Sequence, residues 1–297
     1  MTTNLEDLTN QLLDAAKAAG ADAADAMALQ GTSVSIDVRM GKLEHAERSE
    51  AIDIGLRVMV GQRQANVSAS DTKPETIQVM AERAVAMAKE APEDPYVGLA
   101  TADQLATDWD IDALELYDPT AEPDPQDLQS DAAEAEAAAL AVAGISQVQA
   151  ATAGYGKSYV QLAASNGFSG SYTRSDRGTS CVAIAGTGAE MERDYDGDSR
   201  IFQSNLRTPT DIGQTAAERA LARQHAKQPP TGAFPVLFDE RISSSLIGHL
   251  LGAANGAAIA RGSSWLLNAL GEQVLPEGIS LIEDPHRPRV SGSRPFD

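Results

Sequence analysis

Two stretches of the chain alternate apolar and polar residues in the same layout, and this layout constrains the fold more than any other feature. Residues 34–61 and 159–186 each contain a strand-like run, a glycine turn, two further strand-like runs and a final glycine. In the first stretch, Val34, Ile36 and Val38 alternate with polar side chains. Strict alternation indicates a strand with one buried face. The two stretches therefore predict antiparallel sheet.

The two stretches also match in length and in one charged residue. The segment from Gly41 to Gly61 is about as long as the segment from Gly167 to Gly186. Each stretch holds an arginine seven residues after its first glycine. These arginines are Arg48 and Arg174. Such a repeated spacing leaves two interpretations open: two related three-stranded units flanked by helices, or two ordinary antiparallel meanders.

Apolar residues at helical spacing predict four helices around these strands. Asn4 or Thr3 is expected to cap the first helix, and Gly20 to end it. The predicted helices cover residues 5–19, 74–90, 127–143 and 210–226, and the predicted strands cover residues 34–38, 52–60, 64–70, 146–153, 158–165, 169–175, 179–185 and 234–238.

A change of composition divides the chain. Residues 91–126 hold five prolines among many acidic residues, which is typical of an extended surface connector. We predict an N-terminal α+β domain over residues 1–126 that ends with this connector. A middle region of helix and antiparallel strands follows over 127–230, and a C-terminal domain begins over 231–297. The predicted fold class is α+β: antiparallel sheets flanked by helices, followed by an incomplete β-rich C-terminal domain.

Charge and hydropathy exclude two classes of partner. The formal net charge of the 297 residues is -20. A field of this sign repels phosphate backbones and anionic membrane surfaces, so nucleic acid and membranes are not expected as partners. No apolar run approaches the ~20 residues that span a bilayer, and the polar, acidic N-terminus is unlike a signal peptide. The expected protein is soluble and cytoplasmic.

Residues that commonly bind metals are sparse. Cys181 is the one cysteine, so neither an intramolecular disulfide nor a cysteine-based zinc site is expected. Its apolar neighbours indicate a buried, inert thiol. The four histidines, His45, His225, His249 and His286, are far apart, and none pairs with another at metal-ligand spacing. We predict no metal site in this chain.

Two motifs invite a ligand-binding interpretation, and their context argues against it. Residues 151–158 fit a loose phosphate-loop pattern, but Ala151 replaces the first glycine and a strand-like run follows instead of a helix. A β-turn with an exposed lysine is the default interpretation. Residues 190–198 carry acids spaced like the start of a calcium loop, but Ser199 and Asn205 replace its glycine and glutamate. A solvated acidic loop is the expected structure.

The last fifth of the chain has a distinctive order of features. An apolar, glycine-containing helix leads into Arg261-Gly262-Ser263-Ser264, then a short strand and a loop rich in proline, glycine and arginine. Residues 242–270 contain no acidic residue. This order resembles the TldD/PmbA family of bacterial peptidase subunits, most of all its PmbA branch, also called TldE. Further similar motifs extend over essentially the whole chain: Gly20-Ala21-Asp22-Ala23, Gly41-Lys42-Leu43-Glu44, Gly55-Leu56-Arg57-Val58, Leu270-Gly271, Asp284-Pro285 and Ser293-Arg294-Pro295-Phe296-Asp297.

The resemblance also indicates what this chain lacks. In the metal-bearing subunit of that family, the helix carries a His-Glu-x-x-x-His zinc motif. Counting back without gaps from the shared Arg261-Gly262 places its two histidines over Ile247 and Gly252, and its glutamate over Gly248. His249 falls between these positions and is not assigned as a ligand. The resemblance therefore implies a subunit without zinc, and zinc in a TldD-like partner.

The implied function is that of a partner subunit in a zinc peptidase that acts in proteolysis and peptide maturation. No residue of this chain is expected to be catalytic. Four residues are expected to contact the partner or the peptide substrate: His249, Asn255, Arg261 and Ser263. Self-association is left open. A non-catalytic binding or scaffold protein is the alternative, and a nucleotide-binding protein is a remote one.

The C-terminal motif departs from the family pattern in one respect. In the family, a motif like Pro295-Phe296-Asp297 continues with an acidic residue, Glu-Gly and a further β-rich portion. The present sequence ends at that motif. The expectation is a fragment that lacks roughly the last third of the family's length, with sheet edges left unpaired.

Overall fold

The computed structural model describes residues 4–107, 109–120 and 122–296, and its main feature is one six-stranded antiparallel sheet. The strands are β1 (Ala23–Arg39), β2 (Lys42–Val60), β3 (Arg63–Ala69), β4 (Ile145–Ala164), β5 (Ser169–Ala185) and β6 (Glu192–Arg200). The helices are α1 (Leu5–Ala19), α2 (Pro74–Glu90), α3 (Ile111–Leu114), α4 (Pro125–Leu140), α5 (Pro209–Ala222), α6 (Glu240–Ala254) and α7 (Gly256–Ala260). This architecture confirms the α+β fold class.

The sheet has two halves with the same order of elements. Its strand order is β3-β2-β1-β4-β5-β6, so each half is a three-stranded meander, and β1 pairs with β4 at the centre. Helices α1 and α2 bracket the first meander in sequence, and α4 and α5 bracket the second. Each repeated stretch of the sequence covers the end of one strand, a turn and one further strand, namely β1–β2 and β4–β5. The two later strand-like runs predicted in each stretch are therefore a single strand, and the third strand of each meander, β3 or β6, follows the stretch.

Alternate residues of β1 bury one face of the sheet against helices. Ala24, Ala26 and Ala28 belong to the core formed with α1 and α2. Farther along the same strand, Val34, Ile36 and Val38 pack with Leu128 and Ala132 of α4. A second helix, α5, covers the matching face of β5, where Cys181 and Ala183 are fully buried. All four long helices around the sheet thus cover the same face.

Helix boundaries follow the signals in the sequence. Asn4 caps α1 by accepting a hydrogen bond from Glu6 N at 3.1 Å, and Gly20 ends it with φ 96°. Proline occupies the first turn of α2, α4 and α5, where its missing N–H costs no helical hydrogen bond. Residue 3, the other predicted cap, lies outside the described residues.

The opposite face of the sheet is partly covered by two irregular segments. Leu114 and Leu116 of the connector pack on Val160 and Tyr172, together with Ile201. The predicted surface connector is therefore partly buried, and it includes the short helix α3. Two of its residues, 108 and 121, lie outside the described part of the chain.

Residues 284–296, which we name the C-terminal strap, form the second covering segment. Arg289 N donates to Leu114 O at 3.0 Å, and the Arg289 guanidinium holds both carboxylate oxygens of Glu115 at 2.7 and 2.8 Å. The same guanidinium lies 4.0 Å from the ring centre of Phe202. Phe296 completes the attachment among aromatic side chains of the sheet.

Several predicted element boundaries are wrong. β1 begins at Ala23 and β2 at Lys42, because each strand continues beyond the segment where its apolar residues alternate. The predicted strand pairs within β4 and within β5 are single continuous strands. α5 ends at Ala222 rather than at 226. Residues 234–238 form no strand, and Pro235 within them lacks the N–H that a strand ladder needs.

The chain divides into two compact units. The first unit contains the sheet, its helices and the C-terminal strap, and the second unit is Lys227–Glu283. The described residues of the second unit contain α6 and α7 and no strand, unlike the predicted start of a β-rich domain. The domain boundaries at 126 and 230 stay a prediction. Strand β1, before residue 126, pairs with β4, after it, so strands from both sides of that boundary form one sheet. Within the described ranges, no helix is both long enough and apolar enough to cross a membrane.

Candidate functional site

All four residues that the sequence analysis assigns to partner or substrate contacts lie in the second unit, on or beside α6 and α7. Asn255 separates the two helices and caps α7: its Oδ1 accepts hydrogen bonds from Ala257 N at 3.0 Å and from Ala258 N at 3.2 Å. An asparagine at this position satisfies N–H groups that otherwise lack a helical partner. The Asn255 side chain is therefore committed to local structure.

Ser263 and Arg261 lie at the other end of α7. Ser263 Oγ donates to Ala258 O at 3.1 Å, so Ser263 and Asn255 bond to the same residue. Arg261 follows α7 directly, and its backbone N–H donates to Ala257 O at 3.2 Å. The structure thus brings Asn255, Arg261 and Ser263 together around one short helix.

Ser264 was not singled out from the sequence and is the most enclosed polar side chain here. Its Oγ donates to Ala253 O at 2.5 Å and accepts from Leu266 N at 2.9 Å. It thereby ties the segment after α7 to the end of α6. The pair of adjacent serines, Ser263 and Ser264, is the only sequence feature that points to this role, and it does not indicate which of the two is buried.

His249 lies on α6, apart from the other three residues. It is exposed, and among the described residues its ring makes no hydrogen bond or ion pair. Gly248 and Gly252 flank it, and a Cβ added at either glycine would meet open space. In the residues that the structure covers, no three His, Cys, Asp or Glu side chains form a group suited to a metal ion.

The surface of the second unit is unusually apolar. Ile242 and Leu251 of α6 are 52% and 55% exposed, and Trp265 after α7 is 70% exposed. Leu270 is fully exposed. Large apolar side chains that are exposed in such number are typical of segments that contact another protein surface. The arrangement can therefore bind an apolar surface, with hydrogen-bonded helix caps that fix its shape.

The phosphate-loop hypothesis is wrong. Residues 154–158 lie inside β4, which pairs with β1 on one side and β5 on the other. No loop or helix N-terminus follows, so the backbone N–H groups cannot converge on a phosphate. The default β-turn is also wrong, although Lys157 is exposed as expected and its Nζ lies 4.8 Å from the ring centre of Tyr117.

The acidic segment 190–198 is not a solvated loop, because most of it is the strand β6. Asp194 and Asp196 are buried and face α5. Asp196 binds Arg207 at 2.6 Å and Arg219 at 2.5 Å through different carboxylate oxygens. Asp194 binds Arg223 at 2.7 Å. These acids attach α5 to the edge of the sheet and do not form a calcium loop.

Cys181 is the buried thiol that the sequence predicts. Its side chain lies in the core between β5 and α5 with no exposed surface. Burial raises the pKa of the thiol to about 12, and the negative charges of Glu136 and Asp196 add to this effect. A thiol in this state holds its proton at neutral pH and is a poor nucleophile.

Comparison with known proteins assigns the whole of this architecture to one family. Three family models match the chain: PmbA/TldA metallopeptidase domain 1 over residues 24–88, the central domain over 118–224 and the C-terminal domain over 231–297. The chain belongs to the PmbA/TldD metallopeptidase family. The first two PmbA/TldD models fall on the two meanders, and the third begins near the start of the second unit.

Curated relatives carry the name PmbA. The chain is 31% identical over 294 residues to Metalloprotease PmbA of Escherichia coli O157:H7, which covers 99% of this chain and 64% of that protein. It is 33% identical over 268 residues to a Metalloprotease PmbA homolog of Haemophilus influenzae, which covers 90% of this chain and 58% of that protein. The chain therefore spans less than two thirds of the length of these relatives.

Solved structures share the fold. A Bacteroides thetaiotaomicron protein described as a modulator of DNA gyrase superposes with a TM-score of 0.88 at 24% identity, over 100% of this chain and 68% of its own. TldE from Thermococcus kodakarensis superposes with a TM-score of 0.65 at 15% identity, over 88% of this chain and 58% of its own. At these identities the similarity is one of fold.

Proposed function

We propose that this chain is the PmbA/TldE-type subunit of a TldD/TldE-type metallopeptidase and that it does not itself bind the zinc. The observation that carries the proposal is the composition of α6. Ile247, Gly248 and Gly252 occupy the positions where ungapped counting places the zinc ligands and the glutamate of a metal-bearing subunit. None of the three side chains can coordinate a metal or transfer a proton.

The exposed apolar surface of the second unit supports a role in assembly. Leu251 and Trp265 are more than half exposed, and a polar end of α7 lies between them in sequence. An apolar centre with hydrogen-bonding groups at its edge is the usual composition of a protein–protein interface. We assign this surface to contact with a TldD-like subunit. His249 and Arg261 are two exposed polar residues that we assign to contact with that partner or its peptide substrate.

In such an assembly, zinc held by the partner supplies a Lewis acid and an activated water for peptide hydrolysis. The residues of this chain would position α6 and its following loop against the partner. Asn255 and Ser264 would keep that loop in one conformation through the hydrogen bonds described above. Location in the cytoplasm, peptide substrates and a role in peptide maturation belong to the same proposal.

The test is co-purification of the full chain with a metal-bearing TldD-type subunit, followed by metal analysis and a peptide-cleavage assay. The expected result is a stable complex with zinc stoichiometric to the partner, and cleavage that requires both chains and is abolished by a chelator. Leu251→Glu should weaken the complex, because it places a charge in the apolar surface. Met87→Glu is the matched control, since Met87 is comparably exposed on α2.

Two outcomes would contradict the proposal. Tightly held zinc in this chain alone, with chelator-sensitive cleavage, would make it the metal-bearing subunit. A complex that forms while cleavage is indifferent to this chain would favour the alternative, a non-catalytic scaffold protein.

A further inference from the structure

A cleft of about 490 Å³ lies in the first unit, on the sheet face opposite the long helices. Its floor is the first part of β1 and the last part of β4, and its rim comes from residues 99–106 and from the C-terminal strap. Asn166 Nδ2 donates to Ala100 O at 3.0 Å and fixes the rim against the β4–β5 turn. The volume is within the range of small-ligand sites. Its apolar lining includes Met27, Leu99, Val160, Leu162, Phe168 and Phe296.

One wall of the cleft is formed by Phe168, Tyr172 and Phe296, and Trp109 packs on two of these rings. The centre of the Phe296 ring lies 5.1 Å from those of Trp109 and Phe168, and 5.6 Å from that of Tyr172. All three pairs meet edge to face, an arrangement that fixes each ring relative to its neighbours. The wall is therefore preformed, which lowers the entropic cost of binding a ligand.

The floor contributes an apolar side chain that the rest of the molecule leaves uncovered. Met27 is 45% exposed although it lies in a central strand of the sheet, near the start of β1. Its cross-strand neighbour Leu162 also lines the cleft. An exposed methionine in a concave site adapts its shape to an apolar ligand.

The charges of the cleft differ in sign from those of the whole protein. Its lining has one carboxylate and two guanidinium groups. Asp25 is already neutralised, because its Oδ2 accepts from Arg57 Nε at 2.8 Å. The Arg294 backbone N–H donates to Pro285 O at 3.0 Å, but its exposed guanidinium has no partner among the described residues. Among the described residues, one positive charge without a carboxylate partner thus lies beside an apolar cavity, in a chain of net charge -20.

We propose that this cleft binds a carboxylate that carries an apolar group. Arg294 holds the carboxylate through the fork of its guanidinium, and the aromatic wall with Met27 takes the apolar part. In such a complex, the carboxylate of the ligand lies at the rim beside the Arg294 guanidinium and near solvent, and its apolar group lies on the floor of the cleft. Two sources share this chemistry: the C-terminus of a peptide that ends in an apolar residue, and a free aliphatic or aromatic acid.

The test uses intrinsic fluorescence of the full chain. The sequence has two tryptophans, of which Trp109 packs on the aromatic wall of the cleft and Trp265 belongs to the second unit. In a Trp265→Phe variant the signal comes from Trp109, whose ring contacts Phe168 and Phe296 of the cleft lining. The ligands are octanoate and the peptide acetyl-Ala-Ala-Phe with a free carboxylate, each compared with its uncharged amide. We expect a saturable change with at least one acid, and binding about tenfold tighter than that of its amide.

Two substitutions separate the site from non-specific apolar binding. Arg294→Gln should weaken binding of the acid about tenfold and remove the difference between acid and amide. Arg287→Gln is the matched control, since Arg287 is an exposed arginine of the same strap that does not line the cleft. Far-UV circular dichroism confirms that both variants are folded. These experiments measure binding without cleavage, so they do not depend on the proposed peptidase function.

Every outcome bears on the proposal. Preference for the peptide or for octanoate identifies the source of the carboxylate and supports the proposal in either case. Equal binding of acid and amide, or an unchanged affinity of the Arg294→Gln variant, would overturn it. So would the absence of any saturable signal with both acids up to about 5 mM, since a matched cleft should reach this affinity.

Discussion

At the scale of single residues, Glu136 shows how one buried charge supports a turn about 95 positions away in sequence. Glu136 lies on α4 and is 3% exposed. Its two carboxylate oxygens accept hydrogen bonds from Met40 N at 2.6 Å and Gly41 N at 2.7 Å. Both turn residues have positive φ, 55° and 69°. The Glu136 carboxylate therefore holds the β1–β2 turn in a conformation that methionine rarely adopts.

We expect Glu136→Ala to lower the free energy of unfolding by about 2–4 kcal/mol, because two backbone N–H groups lose a charged acceptor. Urea unfolding followed by circular dichroism measures this change. Glu82→Ala is the control: Glu82 is exposed on α2, and its loss should change stability by less than about 0.5 kcal/mol. Equal effects of the two substitutions would show that the turn needs no support from α4.

Cys181 leads to a second prediction for a single residue. Because burial raises the pKa of its thiol to about 12, only about one molecule in 10⁴ carries the thiolate at pH 8. We expect a thiol reagent to label the native chain at least about 100-fold more slowly than the chain unfolded in guanidinium. A Cys181→Ala variant with Ser130→Cys, an exposed position on α4, is the control and should react quickly in the folded state. Fast native labelling of Cys181 would indicate that α5 opens readily from the sheet.

At the scale of elements, the sequence predicts the four helices that pack on the sheet and the presence of its strands. The prediction of strand boundaries fails where a residue contacts another residue that is far away in sequence. β4 was divided because Gly154 and Gly156 are typical of turns. Both glycines instead lie where other atoms approach closely: a Cβ on Gly154 would lie 3.2 Å from Val34 O, and a Cβ on Gly156 would lie 2.5 Å from Asp176 Oδ1. Glycine in a strand often marks such a close approach, but its partner strands are invisible to local periodicity.

The prediction of a solvated loop in place of β6 is wrong for a related reason. Its alternating acids are typical of a solvated loop unless buried cations balance them. The balancing arginines follow the acids by 11 to 29 positions: Arg219 lies on α5, and Arg207 and Arg223 lie just before and just after it. The same limit applies to the candidate site. The sequence grouped Asn255, Arg261 and Ser263 with His249, but the hydrogen bonds of the first three to Ala257 and Ala258 depend on how α7 begins and ends.

Helix packing predicts different effects on stability when two helical glycines, Gly213 and Gly248, are replaced by alanine. Gly213 of α5 lies against α4, where an added Cβ would be 2.1 Å from Ala135 O. Gly213→Ala should lower the free energy of unfolding by about 2 kcal/mol, since overpacking outweighs the ~1 kcal/mol gain in helix propensity. Gly248→Ala on α6 meets open space and should raise helicity without loss of stability. Chemical denaturation and circular dichroism test both, and a stabilising Gly213→Ala would contradict the close contact of α4 and α5.

At the scale of the whole molecule, the duplicated helix–meander–helix plan explains why the first unit is compact. Pairing of β1 with β4 joins two meanders into one sheet, so the four helices share one face and form adjoining cores. Among the described residues of the first unit, no long helix packs on the opposite face. It is covered instead by the connector around α3 and by the C-terminal strap, which reaches it from a distant part of the sequence. The C-terminal strap, which follows the second unit in sequence, is therefore attached to the sheet of the first unit.

This attachment makes a prediction for limited proteolysis. Chymotrypsin should cut within the second unit, where Phe234, Phe238 and Trp265 are 46–70% exposed, as well as at Tyr96 of the connector, which is 84% exposed. The released C-terminal peptide should still co-elute with the sheet on size-exclusion chromatography, since Arg289 binds Glu115 and Phe296 lies in the aromatic cluster. Arg289→Ala should weaken this retention, whereas Arg287→Ala should not.

The same attachment should depend on pH in one direction. The guanidinium of Arg289 lowers the pKa of the Glu115 carboxyl below its ordinary value. The ion pair is therefore complete above the ordinary carboxylate pKa of about 4.3 and is lost as the pH falls through the lowered value in the folded chain. We expect the nicked protein to retain its C-terminal peptide at pH 7 and to release part of it near pH 3, with a smaller pH effect in the Arg289→Ala variant. Release that is complete at pH 7 would mean that the strap is held only by its covalent connection through the second unit.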